Sequence, residues 1–229
     1  MVHKPIIGFG ARPHEKELKM QHKQRISFGR VELIGDLHIP KECLGLVIFA
    51  HGSGSSRLSP RNRLVARILN ERGMATLLVD LLMEEERDEL KFDMKLLSER
   101  LERITKWAEE NGETKLFPMA YFGASTGAAA ALIAAAKMGN LIRAVVSRGG
   151  RPDLAGEYLA QVVSPTLLIV GELDTEVIGL NRKAFDLLQC VKEFEIVPGA
   201  THLFEETGCL ERAAELACKW FERHFRGEE

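Results

Sequence analysis

The sequence is short of cysteine and carries no excess charge of either sign. Its four cysteines form no C-x-x-C pair and none lies at a zinc-site spacing from another cysteine or a histidine, which indicates reduced thiols and no metal site. Lys and Arg number 31 against 33 Asp and Glu, so the net charge of -2 provides no basic field for nucleic acid or an anionic membrane. A small molecule is therefore the expected partner, and the composition carries no signal for an oligomeric state.

Neither a leader nor a membrane helix is indicated. The apolar run at residues 5–9 is too short for a signal-peptide core. Residues 116–136 carry no charge over about the length of a bilayer span, but glycine and hydroxyl residues cluster at the middle. This stretch is predicted to be two buried elements that meet at a turn. We expect a cytoplasmic protein.

The 229 residues, 45% of them hydrophobic, suffice for one large α/β domain. No repeat or linker divides the chain, so we expect a polar arm at 1–24 and a single domain at 25–229, which opens with a β-hairpin at 25–39. Strand-length apolar runs then alternate with amphipathic helical segments. Five of these runs are apolar on both faces: 44–50, 74–79, 119–122, 142–146 and 166–170. A half-polar run at 193–197 is predicted to be an edge strand.

This alternation predicts a doubly wound, mostly parallel sheet with helices on both faces and a ligand site at the carboxyl ends of the strands. At one such end Ser125 is the centre of Gly123-Ala124-Ser125-Thr126-Gly127, a G-x-S-x-G between a strand and a helix. This setting is typical of a nucleophile held on a strained turn at a helix N-terminus, although a plain small-residue turn is the alternative.

A serine nucleophile needs a base and an acid that orients it. Asp174 follows the run 166–170, and His202 follows the edge strand, so that Ser, Asp and His occur in the order of an α/β-hydrolase triad. Asp153 is the alternative acid. The backbone N–H groups of Ser53, in the glycine-rich loop 51–56, and of Thr126 are predicted to form the oxyanion hole.

Five segments together resemble the α/β-hydrolase fold, and over 27–225 the chain is most similar to the dienelactone hydrolase-like branch. They are HGSGSS (51–56), YFGASTGAAAAL (121–132), SRGGRPDLAG (147–156), LLIVGELD (167–174) and VPGATHLFEE (197–206). Dienelactone hydrolases use cysteine as the nucleophile, whereas position 125 is serine, so lactone specificity does not carry over. The chain also resembles a bacterial group of small hydrolases sometimes fused to a phosphoribosyltransferase-like domain.

The resemblance implies a serine hydrolase that works through an acyl-enzyme and needs no cofactor. Only 147–164 separate the sixth strand of the resembled fold from the next, which leaves no room for a large lid domain and favours a small soluble ester, thioester or lactone. A ligand-binding protein with slow or no turnover and an acyltransferase are alternatives.

Three arginines in loops that face the site give the one hint about substrate charge. Arg57 follows the glycine-rich loop, and Arg148 and Arg151 follow the sixth strand. A guanidinium can bind a carboxylate through two parallel hydrogen bonds, so an anionic substrate is one interpretation. Ion pairs that brace the loops are the other.

Overall fold

Eight strands form one sheet in the computed structural model, which describes residues 22–227. In chain order they are β1 (His22–Phe28), β2 (Val31–His38), β3 (Leu46–Ala50), β4 (Ala75–Val79), β5 (Met119–Ala124), β6 (Ile142–Arg148), β7 (Thr166–Gly171) and β8 (Lys192–Val197). Their order across the sheet is β1-β2-β4-β3-β5-β6-β7-β8. The β1–β2 and β2–β4 pairs are antiparallel and all others are parallel, which confirms the predicted doubly wound, mostly parallel sheet.

The hairpin begins at His22, three residues before its predicted start. His22 pairs with Leu37 and Gln24 with Gly35, so backbone hydrogen bonding to β2 extends β1 beyond its apolar pattern. Residues 22–24 therefore belong to the sheet and not to the predicted arm. The remainder of that arm, 1–21, lies outside the described residues.

Helices cover both faces of the sheet, as predicted. They are α1 (Pro60–Glu71), α2 (Arg87–Leu90), α3 (Met94–Glu110), α4 (Thr126–Met138), α5 (Thr175–Leu187) and α6 (Cys209–Arg226). One hydrophobic cluster joins α1 and α6 to one face, and a second joins α3, α4 and α5 to the other. The sequence pattern had not singled out α5, whose apolar stripe is weak because only Val177, Asn181 and Ala184 are buried.

The central helix α4 explains why the nucleophile motif can lie so close to the sheet. Ten of its thirteen residues, from Thr126 to Ala135, are buried. Most of them are alanines, whose small side chains allow the helix axis to approach β3 and β5 closely. At the edge of the sheet β8 is only half-buried, as its alternating pattern predicted.

The segment between β6 and β7 contains no lid domain. It holds short 3₁₀ turns over Pro152–Gln161, broken by a kink at Gly156, where φ is 54°. Of the helices between residues 22 and 227, none has the length and apolar character required to cross a bilayer. The cytoplasmic location stays a prediction.

Candidate active site

Ser125 lies on the turn between β5 and α4 in a backbone conformation that few residues other than glycine adopt. Its φ is 51° and its ψ is -127°. The flanking glycines make this turn possible: a Cβ on Gly123 would lie 2.5 Å from the Cα of Ala128, and one on Gly127 would overlap the carbonyl oxygen of Ala50. Strain of this kind is stored where the rest of the fold holds it in place, and here it presents Oγ at the helix N-terminus.

The structure brings Ser125, His202 and Asp174 together in one hydrogen-bonded chain. The distance from Ser125 Oγ to His202 Nε2 is 3.4 Å, and His202 Nδ1 lies 2.6 Å from Asp174 Oδ2. A carboxylate can only accept, so Nδ1 carries the proton and the lone pair of Nε2 faces the serine hydroxyl. This is the tautomer that a general base requires.

Asp153, the alternative acid, is bound elsewhere. Arg151 donates to it from Nε at 2.9 Å and from Nη2 at 2.8 Å. Asp174 is 14% exposed in its side chain, whereas Asp153 is 23% exposed. Of the two acids, only Asp174 contacts the imidazole.

Hydrogen bonds between the loops that carry Asp174 and His202 hold the acid and the base in position. Leu173 N donates to Ala200 O at 2.9 Å, and Gly199 N donates to Glu172 Oε2 at 2.8 Å. On the far side of His202, Glu206 accepts from Thr201 N at 3.1 Å and from Thr201 Oγ1 at 2.6 Å, and these bonds lower the pKa of the Glu206 carboxyl. Glu172 and Glu206 were not predicted from the sequence, since a glutamate in a loop has no pattern to mark it.

The glycine-rich loop after β3 lies against the nucleophile. A Cβ on Gly52 would be 2.9 Å from Ser125 Cβ, so only glycine allows this approach. His51 orders the loop from both ring nitrogens: Nδ1 lies 3.0 Å from Gly52 O, and Nε2 accepts from Leu81 N at 3.1 Å. Burial lowers the pKa of His51, which keeps it neutral in this arrangement.

The two predicted oxyanion donors meet here, but only one of them is free. The Thr126 N–H belongs to the first turn of α4 and has no partner within the helix. The Ser53 N–H instead donates to Thr126 Oγ1 at 2.7 Å. The sequence could not predict this bond, because its ends are 73 residues apart.

Two of the three predicted substrate arginines are neutralised by carboxylates. Arg57 Nη1 donates to Asp80 Oδ2 at 2.7 Å, and Arg151 holds Asp153. Arg148 has no carboxylate partner among residues 22–227: its guanidinium is buried beside the Phe204 ring, 5.5 Å from the ring centroid. Burial, reinforced by the nearby Arg61 charge, lowers the pKa of Arg148 to about 10.

A cleft of about 490 Å³ opens next to the oxyanion loop. Its walls combine the loop 51–56 and the start of α1 with residues between 82 and 97, including the cations Arg61, Arg87 and Lys91. The described part of the chain contains no group of three or more His, Cys, Asp or Glu side chains placed to hold a metal ion. The site therefore offers a nucleophile, a base and N–H donors beside a partly cationic cleft.

Comparison with known proteins shows that this chain is similar to hydrolases. A crystal structure of dienelactone hydrolase from Anabaena variabilis ATCC 29413 is 50% identical, with a TM-score of 0.88 over 90% of this chain and 98% of that one. An alpha-beta serine hydrolase homologue from Coxiella burnetii shares the fold, with 20% identity and a TM-score of 0.74 over 86% of this chain and 96% of that one. No protein-family model matches the chain.

A longer relative comes from Mycobacterium tuberculosis, in strains CDC 1551 / Oshkosh and H37Rv, and carries the provisional name phosphoribosyl transferase. It is 54% identical over 201 residues, which are 87% of this chain. The chain spans only 45% of the length of these curated relatives. Their name describes the whole protein and does not assign an activity to the matched half.

Proposed function

Since this chain belongs to the dienelactone hydrolase family, we propose that it is a serine hydrolase of small carboxylic esters, thioesters or lactones. One observation carries the proposal: Asp174, His202 and Ser125 form a continuous hydrogen-bonded chain at the carboxyl edge of the sheet. The nucleophile is serine and not the cysteine of dienelactone hydrolases. We therefore propose no preference for the lactone over the open-chain ester.

The proposed reaction begins with attack of Ser125 Oγ on the substrate carbonyl carbon. His202 Nε2 accepts the hydroxyl proton as the C–O bond forms, and Asp174 stabilises the resulting imidazolium without taking a proton itself. When the tetrahedral intermediate collapses, the bond to the leaving group breaks and Nε2 returns its proton to the departing alcohol or thiol. Ser125 is then acylated.

Water completes the cycle by the same route. His202 Nε2 removes a proton from water as its oxygen attacks the acyl carbon, and then protonates Ser125 Oγ as the acid leaves. In both tetrahedral states the negative charge on the substrate oxygen faces the proposed oxyanion hole, where the Thr126 N–H is the free donor and the Ser53 N–H is held by Thr126 Oγ1. A preorganised donor of this kind is worth about 10²- to 10³-fold in kcat.

The open site favours a small, water-soluble substrate. Only the 3₁₀ segment Pro152–Gln161 stands between β6 and β7, so no cap domain shields a long acyl chain from water. The cleft of about 490 Å³ beside Ser53 is large enough for a small ester, since ligand pockets commonly measure about 300–1,000 Å³.

We further propose that the substrate carries an anionic group near Arg148. Arg57 and Arg151 already bind carboxylates, whereas Arg148 lacks one and has the Arg61 charge close by. Arg148→Ala should raise KM about tenfold for a carboxylate-bearing ester and leave a neutral ester of similar size nearly unchanged. Equal effects on both esters would make Arg148 a structural support for the Phe204 loop.

Labelling and kinetics with a Ser125→Ala variant test the enzyme itself. A fluorophosphonate probe should label the wild type at Ser125 and leave the variant unlabelled. The variant should also lose about 10³-fold or more in kcat on p-nitrophenyl acetate. A wild type that neither reacts with the probe nor hydrolyses a graded panel of esters and lactones would instead favour a non-catalytic binding protein. An acyl acceptor that competes with water would favour the acyltransferase.

A further inference from the structure

The side chain of Thr126 lies in the proposed oxyanion hole, which was predicted to consist of backbone N–H groups alone. The Ser53 N–H, one of the two proposed oxyanion donors, donates to Thr126 Oγ1 at 2.7 Å. Thr126 is only 6% exposed and Ser53 is half-buried, so this bond is partly shielded from solvent. The residue that follows the nucleophile thus contributes both a backbone N–H and a hydroxyl to the same corner of the site.

The hydroxyl proton of Thr126 has no acceptor among residues 22–227. Other buried threonines use theirs: Thr105 donates to Leu101 O at 2.8 Å, Thr114 to Ala108 O at 2.7 Å and Thr166 to Ser164 O at 2.9 Å. Thr126 is the first residue of α4, so no helical carbonyl lies one turn before it. A hydroxyl can accept one bond and donate another, and here only the accepting half is used.

We propose that Thr126 Oγ1–H donates to the substrate oxyanion together with the Thr126 N–H, while the Ser53 N–H stays bonded to Oγ1. This rests on the proposed function. As the carbonyl oxygen gains charge, the Thr126 hydroxyl donates its proton in a hydrogen bond to that oxygen beside the Thr126 N–H. The Ser53 N–H, bonded to the same Oγ1, polarises the hydroxyl and strengthens its donation. Thr126 is therefore a catalytic residue through its side chain as well as its backbone.

The Thr126→Val variant separates this role from that of the backbone, because valine keeps the shape and the N–H but lacks the hydroxyl. We expect kcat on p-nitrophenyl acetate to fall about 10²- to 10³-fold with KM nearly unchanged, and a trifluoromethyl ketone to bind more weakly by the same factor as kcat/KM falls. Thr126→Ser should restore kcat to within about threefold of the wild type.

Thr114→Val is the matched control. It removes a buried hydroxyl far from the site, so it should lower the melting temperature and leave kcat unchanged. If Thr126→Val keeps kcat within about threefold or raises it, the hydroxyl merely blocks the Ser53 N–H and the inference is wrong. It is equally wrong if Thr126→Ser is as slow as the valine variant. Probe labelling of Ser125 in the wild type shows whether the proposed function itself holds, independently of these results.

Discussion

Replacing Asp174 by asparagine tests the orientation of the proposed base. The carboxylate accepts from His202 Nδ1 at 2.6 Å and is largely shielded from water. An asparagine amide can donate its N–H to Nδ1, which moves the imidazole proton to Nε2 and points it at Ser125 Oγ. His202 Nε2 would then carry a proton and could not accept the proton of the Ser125 hydroxyl.

Two effects contribute to the fall in kcat that we expect for Asp174→Asn. The missing charge-assisted hydrogen bond is worth about 1.5–3 kcal/mol, or about 10- to 150-fold in rate. The unfavourable tautomer multiplies this, and the two effects together reach about 10⁴-fold where a triad aspartate has been replaced in this way. We expect Asp174→Asn to lower kcat by about 10³-fold or more with little change in KM.

Asp153→Asn provides the matched comparison. Its pair with Arg151 is partly exposed, with side chains 36% and 23% accessible, and such pairs contribute only about 0–1 kcal/mol. Initial rates on p-nitrophenyl acetate at saturating substrate, with melting curves to verify folding, measure both variants. The assignment is refuted if Asp153→Asn loses more kcat than Asp174→Asn, or if Asp174→Asn keeps a tenth of the wild-type value.

Three further outcomes follow from the packing and the charges. Gly123→Ala should lower the melting temperature, and it should lower kcat by more than about tenfold, because the added Cβ would collide with Ala128. An unchanged melting temperature and kcat would show that the turn relaxes to accept the methyl group. Glu86→Ala should lower the free energy of unfolding in urea by about 3 kcal/mol, since the Arg100 side chain is only 6% exposed and would keep the Leu81 carbonyl but no carboxylate. The exposed pair of Glu193 serves as the control and should cost below about 1 kcal/mol. Finally, burial lowers the pKa of each of three histidines, so the folded state takes up protons less readily than the unfolded chain. The contribution of these neutral histidines to the free energy of unfolding should be fully present above about pH 6.5 and should decrease as the pH falls below that value. Equal urea midpoints at about pH 7.5 and 5.5 would contradict this. The three are His38, His51 and His224.

The sheet and the nucleophile turn could be predicted because their signals are local. A strand apolar on both faces, a G-x-S-x-G and an alanine-rich helix follow one another within 119–138, and each constrains the next. The predicted strands end within two residues of the observed ones because their apolar runs coincide with burial. Helix α5 was missed for the opposite reason, since few of its residues face the core.

Whether each arginine pairs with a carboxylate depends on contacts between distant parts of the chain, which no local sequence pattern encodes. Arg57 is neutralised by Asp80, which follows another strand, whereas Arg148 ends its own strand with its guanidinium under the loop of Phe204. Both residues were predicted to bind substrate for the same reason, as arginines at the carboxyl ends of strands facing the site. Which one meets a carboxylate is decided by the order of strands across the sheet, so a residue pattern could leave only two alternatives open.

His51 shows how the sheet order also determines the chemistry of the oxyanion loop. Its strand, β3, lies beside β4, and this adjacency places the Leu81 N–H, just beyond β4, within 3.1 Å of His51 Nε2. Because that nitrogen accepts, Nδ1 carries the proton and donates to Gly52 O at 3.0 Å. The Gly52 carbonyl and the Ser53 N–H belong to one planar peptide, so a bond to the first fixes the direction of the second. A half-buried neutral histidine thereby aims the Ser53 N–H at Thr126, and the geometry of the proposed oxyanion hole depends on strand adjacency as much as on the motif around Ser125.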